Sequence, residues 1–593
     1  MRLADYIVAR LYEKGVKDIF FVPGYGNMHL VDALARSAAI NAVSVHHEQA
    51  AAMAALSYAK YNHDFGACFV TTGCGGANAV TGVLHAWQDS VPCLIVSGQI
   101  DTPHMAASFD VKLRQVGKQE ANIVAIVKSI TKYALTVTDP KSIAYHLDRA
   151  IHEAKSGRPG PVWLDIPMDV QSANVEPENL ERFQPGPAAA GPDLSTAARS
   201  LLADLQKAQR PIVLAGGGVR MSGALKAFQT FVHKGRLPVV MTKAAPDVLD
   251  SDDELSIGVA GSQSGSRAGN FALANSDLLL TLGSRLSVNV TGYDYKSFAR
   301  AAKVVVIDID AEEHAKNTVR IDSFVQADLK KFLEVMNELE PPPAKTGWLE
   351  KCRHWKEIFP FLTEEEKEGE TIDLFEFNRK MSEALKDDTV IVSDTGNVCF
   401  TLPASVKIER GLRSITSAAQ AEMGYALPGA IGVCYARGLK EVVCAIGDGS
   451  IMMNIQELAT VAFRQLPIKI FVINNDGYAC IRSMQSEAYR GRTLGTDASN
   501  GLGFPSFQKV ADCFGLKYAR IAARRELEAK LNEVVNLDGP VLCEVMTKRV
   551  QKNFLVALGK NSRGRLAFRP LEDLSPFLDR DVFLKEMIIP PLD

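Results

Sequence analysis

The sequence predicts three doubly wound α/β domains with parallel sheets, followed by a C-terminal extension. Three observations carry this. Short β-branched runs such as Val442–Ile446 and Ile468–Ile473 alternate with helical patterns. These runs end on glycine-rich or acidic turns, where open α/β sheets place their ligands. A chain of 593 residues is too long for one core, and the Pro-rich stretches Pro185–Pro192 and Pro341–Ala344 divide it. The expected domains are residues 1–175, 192–340 and 371–547, with 548–593 as a tail or lid.

Composition narrows the function classes. A net charge of -3 gives no electrostatic footprint for nucleic acid or an anionic membrane. Hydrophobic content of 47% with 23% charged residues is that of an ordinary soluble protein. The ten cysteines show no CxxC spacing, which argues against a zinc site or a disulfide framework and for a cytoplasmic protein. No signal peptide or membrane span is read.

In the first domain, Leu3, Ile7, Val8 and Leu11 mark one face of a helix stopped by Gly15. Asp18–Val22 is a strand, and Val43–His47 is a second that delivers Glu48. The residues after Glu48 are small and apolar, so its carboxyl would sit at a helix start beside a dry interior, able to share a proton with a ring nitrogen. A solvated first-turn glutamate is the competing reading. In the middle domain three strands end on Gly216-Gly217-Gly218, Gly283-Ser284-Arg285 and Asp308-Ile309-Asp310. The charged run Glu364–Glu370 reads as a solvated surface.

The third domain starts with a helix over Phe375–Leu385 and a strand, Thr389–Ser393, that ends on Asp394-Thr395-Gly396-Asn397. Val442–Ile446 then ends on Gly447-Asp448-Gly449-Ser450, and Ile468–Ile473 ends on Asn474-Asn475-Asp476-Gly477. Asp448 offers a carboxylate, Asn475 a side-chain carbonyl and Gly477 a backbone carbonyl, a set suited to Mg²⁺ with diphosphate oxygens completing the octahedron. Gly449 and Ser450 would open a helix and turn their N–H groups to anionic oxygens.

GDG followed after 27 residues by the second Asn of an NN pair resembles the signature of thiamine-diphosphate-dependent enzymes. The segments His47-Glu48-Gln49, Thr71–Asn78, Asp89–Pro92, Gly98-Gln99, Gln119-Glu120 and Gly157–Pro161 further resemble landmarks of acetolactate synthase catalytic subunits, over residues 1–550. The resemblance implies pyrimidine-binding, middle and diphosphate-binding domains, with thiamine diphosphate and Mg²⁺ as cofactors. It implies a homodimer or a dimer of dimers, Glu48 facing the cofactor held by Asp448 and Asn475 of a second copy. Glu48 would promote the ring tautomer that removes the thiazolium C2 proton. Gln119 would lie near the reacting carbons, as would His47, although a histidine at a strand end is as often structural. Thr395, Gly396, Asn397, Gly447, Gly449 and Ser450 would grip the diphosphate, Ala421 would contact the cofactor, and Met423 would prop it in its bent shape.

The same resemblance places FAD, in a structural role, against Arg158, Gly216, Gly217, Gly218, Thr242, Gly283, Arg285, Asp308 and Asp328. The implied reaction is decarboxylation of a 2-oxo acid, pyruvate foremost, and ligation of the two-carbon unit to an acceptor carbonyl compound. Departures fall on the acceptor side: Met484, Lys118, Met168 and Cys74 stand where the family usually has tryptophan, phenylalanine, lysine and proline. A nucleotide-linked keto-sugar acceptor, as in yersiniose-type enzymes, therefore stays open, as do simple decarboxylation and a silent regulatory paralogue. The basic residues Arg549, Lys552, Lys560, Arg563, Arg565 and Arg569 are expected to form a cluster near the site mouth, in an inter-subunit or lid segment or meeting a phosphorylated or nucleotide-linked acceptor.

Overall fold

The computed structural model describes residues 1–187, 191–361, 369–551, 558–560 and 566–592. The predicted runs become strands of three six-stranded sheets, parallel throughout. The first holds β1 (Asp18–Phe21), β2 (Asn41–Ser44), β3 (Gly66–Val70), β4 (Cys93–Gln99), β5 (Tyr133–Thr136) and β6 (Val162–Pro167) in the order β2-β1-β3-β4-β6-β5. The second holds β7 (Pro211–Ala215), β8 (Val239–Met241), β9 (Ser256–Val259), β10 (Leu278–Leu282), β11 (Lys303–Asp308) and β12 (Ser323–Gln326) in the order β12-β11-β10-β7-β8-β9. The third holds β13 (Val390–Ser393), β14 (Arg413–Thr416), β15 (Val442–Gly447), β16 (Ile468–Asn474), β17 (Lys517–Ile521) and β18 (Val541–Met546) in the order β14-β13-β15-β16-β18-β17.

Central strands such as β4 and β10 are buried at every position, because helices cover both faces of each sheet. The first and third sheets share one strand order, which reverses direction between their first and third strands. That reversal opens a crevice at the carboxyl ends, beside Thr71 in one domain and between Asp394 and Asp448 in the other. The middle sheet has the order of dinucleotide-binding folds, and it sets the glycine turns after β7 and β10 side by side.

One hydrophobic core spans the first and third domains. Its centre is the helix Glu48–Asn62, buried from Ala50 to Ala59, packed against the helix Ala426–Ala436, buried from Ala426 to Tyr435. The first is rich in Ala and the second in Ala and Gly, so their backbones approach closely; a Cβ added at Gly432 would lie 2.0 Å from the Ala54 carbonyl oxygen. Small side chains remove little area each. The contact therefore stabilises by dense van der Waals packing along its length.

Two boundaries differ from expectation. The middle domain does not end at residue 340: the helix Thr346–Ile358 puts Trp348, Leu349, Cys352 and Trp355 into its core, and Trp348 Nε1 donates to the Pro211 carbonyl at 2.8 Å. Pro341–Pro343 interrupt the chain without ending the domain. The C-terminal residues also belong there. Leu571, Leu574 and Phe583 join the middle-domain core, Arg300 pairs with Glu572 at 2.5 Å, and Lys351 pairs with Glu586 at 2.6 Å. Residues 566–592 are thus anchored on the middle domain. Of the expected basic cluster, Arg549 pairs with Asp476 and Asp497 and Arg569 with Asp573, so both described side chains are neutralised. Lys552, Arg563 and Arg565 lie outside the described residues, as do the side chain of Lys560 and most of the charged run, residues 362–368.

Gly432→Val is expected to lower the melting temperature and separate the two helices, since neither backbone can yield without shifting a domain. Gly347→Ala, with open space at its Cβ, serves as the control and leaves melting within about 2 °C of wild type by differential scanning calorimetry.

Candidate active site

At the carboxyl end of β15, Asp448 is 2% exposed. Its Oδ1 accepts the Gly449 N–H and its Oδ2 the Gly477 N–H, each at 2.8 Å. Burial pushes its carboxyl up to about 6, against the pull of those N–H donors. On the neighbouring strand end, Asn475 is buried and its Oδ1 has no hydrogen-bond partner among the described residues. An unpartnered buried carbonyl costs about 1–3 kcal/mol, which a bound cation would remove. Gly477 has φ +114°, and a Cβ there would lie 2.1 Å from the Thr496 carbonyl oxygen, so the turn accepts only glycine. These donors are oxygens. An all-oxygen set suits a hard cation completed by ligand oxygens; among the described residues no group of three or more His, Cys, Asp or Glu able to hold a metal occurs.

The turn is braced from behind by Arg482, on the helix Ala479–Ala488. Its guanidinium donates to the carbonyls of Asn475 (2.9 Å), Asp476 (2.7 Å) and Arg549 (2.8 Å). Nothing in the sequence singled it out, because an exposed-looking arginine on a helix carries no local signal.

Gly449 and Ser450 do not open an α-helix. The chain enters a single 3₁₀ turn, Ile451–Met453, and the helix begins at Glu457. The reason is tertiary: Asn454 Nδ2 donates to the Gly424 carbonyl at 2.9 Å, pulling this stretch toward the turn that carries Ala421 and Met423. Asp394, 1% exposed, gathers the same neighbourhood. It accepts the N–H groups of Thr395, Gly424 and Ala426 and the Ser450 hydroxyl, while burial pushes its carboxyl up to about 6. Gly396 has φ +67°, and Asn397 is the buried first residue of the helix Asn397–Ser405. Gly447 is half-buried at the end of β15; Ala421 and Met423 are half-buried on an irregular segment.

In the first domain Glu48 is the first residue of its helix, 8% exposed, and its Oε2 accepts Asn78 Nδ2 at 3.0 Å. His47 caps that helix, its Nδ1 accepting the Gln49 N–H at 3.1 Å, which supports the structural reading of this histidine. Glu457 of the third domain, fully buried, accepts the His46 N–H at 3.0 Å and so fixes the approach to Glu48. Gln119 is exposed with φ +62°, and its carbonyl would lie 1.8 Å from a Cβ on Gly73. No hydrogen bond among the described residues joins Glu48 or Gln119 to the Asp448 group.

A cavity of about 400 Å³ lies where the three domains meet, a size usual for ligand sites. Arg158, Gly217, Gly218, Thr242, Gly283, Arg285, Asp308 and Asp328 line it; Gly216 lies beneath, donating its N–H to the Leu282 carbonyl. Among the described residues Thr242 Oγ1 is buried without a hydrogen-bond partner, as a ligand-facing hydroxyl would be. Two of the polar residues are already engaged: Arg158 pairs with Asp310 (3.0 Å) and Glu313 (2.7 Å), and Asp328 caps a helix through the Lys331 N–H.

Because a proton and a cation compete for Asp448, Mg²⁺ affinity measured by calorimetry with thiamine diphosphate present is expected to fall as the pH drops below about 6. Asp448→Asn is expected to weaken Mg²⁺ at pH 7.5 and to remove this component of the pH dependence. Equal pH dependence in wild type and variant would count against Asp448 as a ligand.

Models of the thiamine pyrophosphate enzyme N-terminal TPP binding domain, central domain and C-terminal TPP binding domain match residues 1–126, 198–336 and 394–545. The acetolactate synthase large subunit of Parasynechococcus marenigrum is 33% identical over 577 residues, 94% of this chain and 90% of that protein. The acetolactate synthase isozyme 2 large subunit of Escherichia coli is 32% identical, covering 92% of this chain and 95% of its own. The acetolactate synthase large subunit of Lactococcus lactis is 32% identical, covering 92% of each. With all three domain models in order and such likeness along nearly its whole length, the chain belongs to the thiamine pyrophosphate enzymes, in the family of the acetolactate synthase large subunits.

Proposed function

We propose that this chain is a thiamine-diphosphate-dependent carboligase that decarboxylates pyruvate and joins the two-carbon unit to the carbonyl of a second 2-oxo acid. The observation that carries this reading is the pair of buried oxygens at adjacent strand ends, a carboxylate at Asp448 and the unpartnered Oδ1 of Asn475. When bound, thiamine diphosphate supplies the electron sink that lets carbon dioxide leave. Asp448, Asn475 and the Gly477 carbonyl hold Mg²⁺. Thr395, Gly396, Asn397, Gly447, Gly449 and Ser450 surround the diphosphate, and Ala421 and Met423 support the rings. Glu48 holds the proton shared with the aminopyrimidine, at the buried start of its helix. His47 orients that start through its cap, and Gln119 handles protons at the acceptor carbonyl.

Two copies complete each site, as a homodimer or a dimer of dimers. Large apolar side chains exposed on the third domain support this, among them Phe463 at 85% and Leu494 at 78%. The cavity where the three domains meet takes FAD in a structural role, supported by the dinucleotide-type strand order of the middle sheet and the unpartnered Thr242 hydroxyl. The protein acts in the cytoplasm, in keeping with free cysteines at every position; among the described residues no helix is long and apolar enough to cross a membrane. A keto-sugar acceptor, simple decarboxylation and a silent paralogue are not favoured by these relatives.

Purified protein given thiamine diphosphate, Mg²⁺, FAD and labelled pyruvate should form acetolactate, read by mass-resolved product analysis. Glu48→Gln is expected to lower turnover by about 10²–10⁴-fold while leaving the fold and cofactor binding intact. Full activity in that variant would sink the assignment of Glu48, and carbon dioxide release with no labelled ligation product would sink the carboligase reading.

A further inference from the structure

Four ionisable side chains meet between the first and third domains and have no role assigned above; two of them, Lys60 and Asp89, also line the cavity where the three domains meet. Lys60 comes from the last turn of the Glu48–Asn62 helix, His85 and Asp89 from the end of the helix Cys74–Gln88, and Glu422 from the segment leading to Met423. His85 is fully buried, with Nδ1 2.6 Å from Glu422 Oε1 and Nε2 3.1 Å from Asp89 Oδ2. Lys60 Nζ donates to Asp89 Oδ2 at 2.6 Å and to the Thr416 carbonyl at 2.8 Å, and lies 2.8 Å from His85 Nε2.

The remaining bonds all run to one short segment. Asp89 accepts the N–H groups of Ala418 (3.0 Å) and Ala419 (2.9 Å). Glu422 Oε2 accepts the Ser417 hydroxyl at 2.5 Å, and Ser417 Oγ in turn accepts the Ala421 N–H at 2.9 Å. Gln420 Nε2 reaches the Thr81 carbonyl at 3.3 Å. The Tyr425 ring closes the pocket edge-on, 4.7 Å from the imidazole, its hydroxyl bonded to Ser57 at 2.8 Å. Residues 416–422 are therefore held chiefly by side chains and a carbonyl of the first domain. Ala421 has φ +53°, a conformation an alanine keeps only when its surroundings impose it.

We propose that His85 is a positioning residue: by joining Glu422 to the Lys60–Asp89 pair, it fixes the turn bearing Ala421 and Met423 to the first domain of the same chain, preforming the surface that receives thiamine diphosphate. This rests on the reading of Ala421 and Met423 as cofactor-contacting residues. The ring's protonation is consistent with it. Burial lowers the proton affinity of His85 and Lys60 opposes its charge, but Glu422 and Asp89 outweigh both and hold its pKa above the ordinary histidine value. The charged groups facing the ring are Lys60 from the Glu48 helix, Asp89 from its own helix and Glu422 from the third domain; the Tyr425 ring completes the contact. Since the folded pKa is the raised one, the clamp is at full strength below the ordinary histidine pKa and weakens as pH rises through the raised value.

The test uses the full-length protein with Mg²⁺ and reads thiamine diphosphate affinity by calorimetry, alongside circular dichroism. His85→Ala and Glu422→Ala are each expected to weaken binding about tenfold, and the double variant no more than either alone, because each change breaks the same link. Wild-type affinity should decline as the pH is raised from the ordinary histidine value through the raised one. Glu422→Gln, which keeps an acceptor for the ring but removes its charge, should move that decline to lower pH, a shift no purely structural role produces. Folded single variants that bind as tightly as wild type, fully additive losses, or a decline that stays in place in Glu422→Gln would each overturn the assignment. Should the alanine variants fail to fold, the Glu422→Gln profile decides. A wild type that binds no thiamine diphosphate overturns the reading of the site itself, which is distinct from variants that match a competent wild type.

Discussion

The closeness of the Glu48–Asn62 and Ala426–Ala436 helices is the constraint on which the rest of the molecule depends. Because Gly432 lies directly over the Ala54 carbonyl, the two helices cannot slide or separate without exposing a run of buried alanines. This contact ties the domain carrying Glu48 to the domain carrying Asp448. The polar bonds around it, Glu457 to His46 and the His85 cluster to residues 416–422, are dry and short because the helices exclude water. Dense packing here converts a loose pair of domains into a fixed platform.

On that platform the third domain builds its site from buried carboxylates spent on backbone N–H groups. Asp394 joins the turn after β13 to the segment before the Ala426 helix, and Asp448 joins the turns after β15 and β16. Both carboxyls are pushed up to about 6 by burial, so charged forms are costly in the absence of a compensating cation. Arg482 braces the second turn without touching a carboxylate of the proposed metal set. Strain and electrostatic cost are thus concentrated where a cation and a diphosphate would relieve them.

The middle domain contributes differently. Its strand order puts two glycine turns together, and its core is enlarged at both ends of the chain's later course by the helix Thr346–Ile358 and by residues 566–592. Buried ion pairs at Glu572 and Glu586 make that docking specific rather than merely adhesive. The C-terminal stretch is therefore held far from the role of a free flap over its described length.

Much of this was legible in the chain of residues. Alternating apolar runs and helical periodicity name the three α/β domains, since burial on both faces leaves a continuous β-branched run that no local rule disguises. Turn chemistry at Gly447–Ser450 and Asn474–Gly477 points to the residues proposed to hold the metal and the diphosphate, because glycine and acidic side chains at strand ends have few other uses. What the sequence could not decide was every relationship between residues distant along it. Pro341–Pro343 signals a break, yet Trp348 and Trp355 carry the domain onward through contacts with β7 and the C-terminal helix. The 3₁₀ turn after Ser450 follows from a bond to Gly424, and the union of Lys60, His85, Asp89 and Glu422 exists only because two helices and a loop from separate domains converge. Local patterns record periodicity and turn preference; a buried polar network is satisfied by partners hundreds of residues away, and only the packed tertiary structure brings them within bonding distance.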